Sequence, residues 1–188
     1  MFEADRSLGV NRWPLVRIVP GHGTEVVLLS RRFFEISTHW VSEGKGRSIP
    51  CCGDDCRLCE LVPIRGLFYA ACMWDSRVAI LELGAQASSH FEQHCKLLNG
   101  GMQAGLVVML TRRGAKQPVR SEVLRSQTGC VEVSALELAT HVMAIFKYPC
   151  PNPGDDLEAY ERRCRLVAKV RCDRAADLFA SARERCSK

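Results

Sequence analysis

Short apolar runs of strand length occupy much of the first half of the chain. Residues 14–20 are a candidate for a short extended segment. Residues 25–37 hold two apolar runs that predict one or two strands. Two further strands are predicted over residues 65–73 and 77–83, joined by a tight turn. Residues 38–63 lie between these strands and show little apolar periodicity. We therefore interpret them as an insertion that does not rely on a hydrophobic core.

A helix and two more strands are predicted next. Residues 85–98 place apolar side chains at helical spacing, and Gly100 supplies a helix-stop signal just after them. Residues 106–111 have the continuous apolar character of a buried strand. After a polar turn, residues 119–124 are predicted to return as the next strand.

Helices are predicted for the last third of the chain. Residues 134–146 fit a helix with Ser134 as its N-cap and Glu137 at the capping-box position. A stretch rich in proline and glycine then interrupts the chain. Residues 155–188 are predicted to form a strongly charged helix with a kink near Cys172.

This order of elements predicts a mainly β protein with α elaborations, of the α+β class. A five-stranded barrel with a helix between its third and fourth strands is the OB-fold arrangement, and residues 65–125 fit it. We therefore expect an OB-fold-like five-stranded barrel with an inserted subdomain and C-terminal helices. The predicted segments are N-terminal barrel strands at 1–37, the insertion at 38–63, the rest of the barrel with its helix at 64–148, and the charged helix at 149–188.

Composition narrows the class of protein. The chain has 188 residues of which 47% are hydrophobic, which excludes a disordered protein. No apolar run approaches the ~20 residues of a membrane span, and the N-terminal stretch lacks the apolar core of a signal peptide. We therefore expect a cytoplasmic protein with no membrane partner. The formal net charge of +5 is a modest basic bias that is compatible with nucleic acid.

The cysteines carry the clearest chemical signal. Four of the eleven fall within nine residues, and without a signal peptide a disulfide scaffold is not expected. The spacing of Cys56 and Cys59 lets both thiolates reach one tetrahedral zinc ion at ~2.3 Å. Either Cys51 or Cys52 can supply a third ligand, and His39, at the end of a predicted strand, is the candidate for the fourth. A set of three cysteines and one histidine leaves no open position, so the predicted cofactor is a structural Zn²⁺.

The same residues allow other interpretations. A site of four cysteines would leave His39 free, and the thiols could instead form a redox pair. Pro50 and Cys51 resemble part of the zinc deaminase motif, but those enzymes need His-x-Glu, and His39 is followed by Trp40 and Val41. Because no Walker A loop, nucleophile elbow or open metal site is visible, we expect no enzymatic activity.

The order of these residues also resembles a known family. His39, Cys51, Cys56 and Cys59 are followed by an aromatic strand at 68–70, a second strand, a helix and a strand that enters a basic turn. This pattern, over residues 25–130, is similar to the zinc-containing single-stranded-DNA-binding (helix-destabilising) proteins of T4-like bacteriophages. The resemblance implies an OB fold whose cleft, beside the zinc subdomain, holds single-stranded DNA, with Tyr69 as a stacking aromatic. The chain departs from the family in lacking an acidic C-terminal tail and a clear basic N-terminal segment.

Basic and aromatic side chains support the same hypothesis. Single strands are held by basic grooves with aromatic platforms, and residues 112–125 place five cations around one turn. Arg32 and Phe34 would share one face of a strand. The predicted nucleic-acid-binding residues are Arg32, Phe34, Trp40, Arg47, Arg65, Tyr69, Trp74, Arg112, Arg113, Lys116 and Arg120. The predicted function is sequence-tolerant binding of single-stranded DNA, with RNA as an alternative, in replication, recombination or repair.

The C-terminal helix suggests a second hypothesis. Leu157, Tyr160, Cys164 and Val167 form an apolar stripe on a helix of mixed charge. Such a stripe packs against its own domain or docks a protein partner. The alternative function is therefore a zinc-stabilised interaction subunit of a larger complex.

Overall fold

The chain adopts an α+β fold. A computed structural model describes residues 12–42, 46–114 and 117–186, with the side chains of all of these except 98, 99 and 182–186. This part of the chain contains seven strands of one antiparallel sheet and three α-helices. No helix among the described residues combines the length and the apolar character needed to cross a membrane.

The elements follow the predicted order closely. The strands are β1 Gly23–Leu28, β2 Phe34–Val41, β3 Arg47–Pro50, β4 Ile64–Trp74, β5 Arg77–Gly84, β6 Leu106–Thr111 and β7 Arg120–Ser126. The helices are α1 Ala85–Asn99, α2 Ala135–Ile145 and α3 Leu157–Cys186, and a single 3-10 turn spans Arg57–Glu60. The extended candidate at 14–20 forms only an isolated bridge, from Leu15 to Ile80.

The strand order along the sheet is β3-β2-β4-β1-β6-β7, and β5 pairs with β4. β4 and β5 form a long hairpin whose register runs from Leu67 opposite Gly84 to Trp74 opposite Arg77. Asp75 and Ser76 turn this hairpin, both with positive φ, as a tight two-residue turn requires. β1 lies between β4 and β6, and a bulge interrupts the β6–β7 ladder between Val107 and Val108.

The chain divides into two compact units, each with its own apolar cluster. Unit 2 comprises Asn11–Glu35 and Leu67–Val142, and it contains α1 with strands β1, β5, β6, β7 and most of β4. On α1, Ala87, Phe91 and Cys95 recur every four residues and face the buried side chains of the strands. Gly100 ends the helix in a left-handed conformation, as the sequence predicts.

Unit 1 is assembled from two segments that are distant in sequence. Its described part belongs to Ile36–Gly66 and Met143–Lys188, so it combines the inserted segment with α3. Cys172, Ala175 and Ala176 of α3 pack against Leu58 of the 3-10 turn and Ile49 of β3. Small side chains at this spacing let the backbone of α3 approach β3 and the 3-10 turn closely. This explains why a helix of low mean hydropathy still packs against them.

Two local predictions differ from the structure. β3 was not predicted, because its four residues lie in a segment without apolar periodicity. Arg31 and Arg32 form a bend before β2, so Arg32 does not share a strand face with Phe34 as expected. α3 runs as one element from Leu157 to Cys186, so the kink predicted near Cys172 does not divide the helix.

Candidate metal centre

Backbone geometry in unit 1 gathers the predicted ligands. β2 and β3 pair so that Thr38 lies opposite Pro50, which places His39 near the residue that follows β3. Cys51 is held there by a hydrogen bond from its backbone amide to the Ser37 carbonyl at 2.8 Å. Pairing of two strands therefore brings a histidine and a cysteine to the same end of the ladder.

The chain then turns back toward these two residues. Gly53 has a φ of +105°, a conformation that favours glycine, and nothing fills the space where its Cβ would lie. The Cys56 amide donates to the Gly53 carbonyl at 3.1 Å, and the Cys59 amide donates to the Cys56 carbonyl at 3.0 Å. This turn and the 3-10 turn direct the thiols of Cys56 and Cys59 to one point.

The four side chains have the spacing of a tetrahedral site. The Sγ atoms of Cys51 and Cys59 are 3.7 Å apart, and His39 Nε2 lies 3.4 Å from Cys56 Sγ and 3.7 Å from Cys59 Sγ. Bond lengths of ~2.3 Å to sulfur and ~2.0–2.1 Å to nitrogen give edges of about 3.8 and about 3.6 Å in a tetrahedron. His39, Cys51, Cys56 and Cys59 are therefore compatible with one zinc ion.

His39 is held in the orientation that a metal ligand needs. Its side chain is fully buried, and its Nδ1 lies 3.1 Å from the carbonyl oxygen of Val62. A proton on Nδ1 donates to that carbonyl, which leaves Nε2 free to accept a metal. A buried imidazole with one nitrogen on a carbonyl and the other on two sulfurs fits a ligand better than an ordinary core histidine.

The thiols differ in how easily they ionise. Burial opposes ionisation of Cys56, but backbone hydrogen bonds at Cys52 and Leu58 outweigh it and lower the pKa of Cys56 to about 6. Burial and the neighbouring thiol of Cys51 raise the pKa of Cys59 to about 12, and burial also raises the pKa of Cys51. Three thiolates this close repel one another, so a cation between them is the arrangement that stabilises all three.

Cys52 points to a different group of sulfurs from its neighbour Cys51. Cys51 joins His39, Cys56 and Cys59, whereas Cys52 lies with Cys56 and Cys172. Of the two alternatives that the sequence leaves open, the geometry favours Cys51 as the ligand beside His39. The position of Cys172 beside Cys52 and Cys56 was not predicted, since Cys172 lies on α3, far along the chain from the cysteine cluster.

The predicted nucleic-acid residues of unit 1 lie at its surface. Trp40 is 43% exposed, and Arg47 and Arg65 are exposed. Gly46 packs against Trp40, because a Cβ at Gly46 would meet Cζ2 of the indole at 2.6 Å. The glycine thus leaves room for the tryptophan ring to lie over the backbone.

Unit 2 carries most of the remaining candidates. Arg32, Arg113 and Arg120 are exposed, and Phe34 is half-buried at the start of β2. Arg112 is half-buried and donates from Nε to the Gln117 carbonyl at 3.0 Å. Lys116, also predicted to bind nucleic acid, lies outside the described residues.

The two remaining aromatic candidates, Tyr69 and Trp74, differ in how deeply they are buried. Tyr69 is fully buried in β4, so its ring cannot stack on a base as the resemblance implied. Burial, together with Glu82, raises the pKa of its phenol well above the usual range. Trp74 is half-buried and packs against the apolar cluster of unit 2. Tyr69 therefore belongs to the core, because β4 is covered on both faces over residues 69–72.

Similarity to known proteins adds no family to this description. Comparisons with protein-family models, with curated proteins and with solved structures found no match to the chain.

Proposed function

We propose that this protein binds single-stranded nucleic acid, in particular single-stranded DNA, without sequence preference, and that one structural zinc ion stabilises its fold. The proposed setting is replication, recombination or repair. The observation that carries the proposal is the closed group of His39, Cys51, Cys56 and Cys59 at tetrahedral spacing. These four side chains would fill all four coordination positions of a zinc ion and leave no position for a substrate. This favours a structural over a catalytic ion.

The strand order of unit 2 supports an OB-type barrel. Its strands follow the order β5-β4-β1-β6-β7, and α1 connects the third of them in sequence, β5, to the fourth, β6. An OB barrel has this order and this helix position, with its two end strands brought together to close the barrel. OB folds commonly bind single strands, which links the proposed fold to the proposed ligand.

Exposed cations supply the attraction that such a ligand needs. Within the described part of the chain, no ion pair involves Arg32, Arg47, Arg65, Arg113 or Arg120. By contrast, Arg125 in the same basic stretch pairs with Glu25 at 3.1 Å. Guanidinium groups without a carboxylate neighbour can neutralise phosphates and release counterions.

Removal of one zinc ligand tests the zinc contribution. Cys56→Ser should lose the bound zinc and weaken binding to an oligo-dT strand by at least about tenfold, because metal binding is coupled to folding of unit 1. Metal content is measured by mass spectrometry and affinity by fluorescence anisotropy. Cys130→Ser, a half-buried thiol outside both sulfur groups, is the matched control. A metal-free wild-type protein that is fully folded would contradict the zinc proposal.

A salt titration tests nucleic-acid binding separately. Wild-type affinity for oligo-dT should fall linearly with salt on logarithmic axes, with a slope of about −0.7 for each phosphate neutralised. Arg113→Gln and Arg120→Gln should each make this slope shallower by roughly 0.7, whereas Arg162→Gln, on an exposed turn of α3 and paired with Glu158, should not. Absence of binding at low salt would overturn the proposal.

One observation favours a second function, a protein-interaction subunit. Leu166 and Val170 are 68% and 69% exposed, and they lie one turn apart on α3. An apolar pair on an exposed helix face suits a protein partner. This function is favoured if Leu166→Asp abolishes co-purification with a partner while oligo-dT does not bind at low salt.

A further inference from the structure

A second group of sulfurs lies directly beside the proposed zinc site. Cys52, Cys56 and Cys172 place their Sγ atoms within 4.8 Å of one another. Cys56 belongs to both groups, so it stands between two possible metal positions. Cys52 and Cys56 come from the turn after β3, whereas Cys172 comes from α3.

Apolar side chains surround these three thiols, two of which are buried. Cys172 is fully buried, Cys56 is 4% exposed, and Cys52 is half-buried. The same cluster contains the apolar side chains Val41, Ile49, Leu58, Ala175 and Ala176. The Cys172 thiol donates to the carbonyl of Pro50 at 3.4 Å, and coordination would release that proton.

Ligand number and type select the kind of ion. Zinc prefers four ligands, and among the described residues three sulfurs converge here. Three soft thiolates in an apolar pocket suit a soft monovalent ion, and Cu(I) is the biological ion of that class. A thiolate has more than one lone pair, so the sulfur of Cys56 can bridge two metals.

We infer that Cys52, Cys56 and Cys172 form a second metal site, a three-thiolate site for Cu(I) that shares the sulfur of Cys56 with the zinc site. The site needs the metal centre of unit 1 through Cys56, and it does not depend on nucleic-acid binding. It ties α3 to the cysteine-rich turn through metal–sulfur bonds.

Titration with Cu(I) under anaerobic conditions tests this inference. Zinc-loaded protein is titrated with Cu(I) against a chromogenic Cu(I) chelator, and zinc and copper are counted after desalting. We expect one Cu(I) per chain with the zinc retained, and X-ray absorption at the copper edge that shows three sulfur neighbours. Oligo-dT affinity is measured on the same samples, so a failure of nucleic-acid binding is distinguished from a failure of the copper site.

Matched variants show which sulfurs bind. Cys172→Ala should weaken Cu(I) binding by at least about tenfold and keep the zinc, whereas Cys164→Ala removes another buried thiol of α3 and should change neither. Cys52→Ser, at a half-buried position, gives the same test if Cys172→Ala does not fold. Copper uptake that releases zinc one-for-one, or Cu(I) affinity unchanged in Cys52→Ser, would overturn the inference.

Discussion

Cys51 and Cys52 are neighbours in sequence with different surroundings. The Sγ of Cys51 lies 3.7 Å from that of Cys59, while Cys52 lies with Cys172. Cys51→Ser should therefore weaken zinc binding by about 10- to 100-fold or more, and Cys52→Ser should leave it near that of wild type. Competition with a chromogenic zinc chelator measures both. Equal losses in the two variants would mean that the thiols exchange at the metal.

How far individual side chains could be predicted depends on their separation along the chain. The proximity of Cys56 and Cys59 follows from local spacing, because a zinc knuckle is built within one turn, whereas the spacing left Cys51 and Cys52 as alternatives. Cys172 could not be found in this way, since only the packing of α3 brings it to Cys56. The burial of Tyr69 also escaped prediction, because a strand covered on both faces lacks the alternation that marks an exposed side.

Segments with strong periodicity or caps were predicted well. The α1 and α2 helices and the β4–β5 hairpin lie within a few residues of their expected bounds. Ser134 caps α2 as expected, since its Oγ accepts a hydrogen bond from the Glu137 amide at 3.1 Å. β3 was missed because four residues that pair with β2 carry no periodic signal of their own.

Arg171 fixes the chain between α2 and α3. Its guanidinium donates to the carbonyls of Phe146 at 2.6 Å and Lys147 at 2.8 Å, and it lies 4.3 Å from the centre of the Tyr148 ring. These carbonyls follow the C-terminus of α2, where a cation is favourable. Arg171→Ala should lower the free energy of unfolding of unit 1 by about 2 kcal/mol, because charged hydrogen bonds are lost and two carbonyls lose their donor.

Native-state hydrogen exchange of amides in α3 measures this change in stability. Arg162→Ala is the matched control, since its pair with Glu158 at 3.6 Å is exposed on both sides and should contribute less than about 0.5 kcal/mol. A loss in Arg171→Ala no larger than in this control would show that the contacts of Arg171 do not stabilise the unit.

The two units should differ in how much they need metal. The buried cluster of unit 2 includes Phe91, Leu106 and Leu110, and full burial of each such side chain stabilises by about 1.5–3 kcal/mol. The cluster around the proposed metal site of unit 1 includes Ala175, Ala176 and the sulfurs themselves. Because the proposed ligands are members of this cluster, metal binding should contribute to its folding free energy.

Removal of zinc by a chelator under reducing conditions should therefore unfold the cysteine-rich turn of unit 1 selectively. Amides of Cys59 and Leu61, which donate within the 3-10 turn region, should lose protection from hydrogen exchange, while amides of Val108 and Leu110 in β6 should keep theirs. Zinc added back should restore protection, and magnesium, which prefers oxygen ligands, should not. If Cys59 and Leu61 stay protected in zinc-free protein, the packing of α3 alone holds the turn, and a structural role for the metal is excluded.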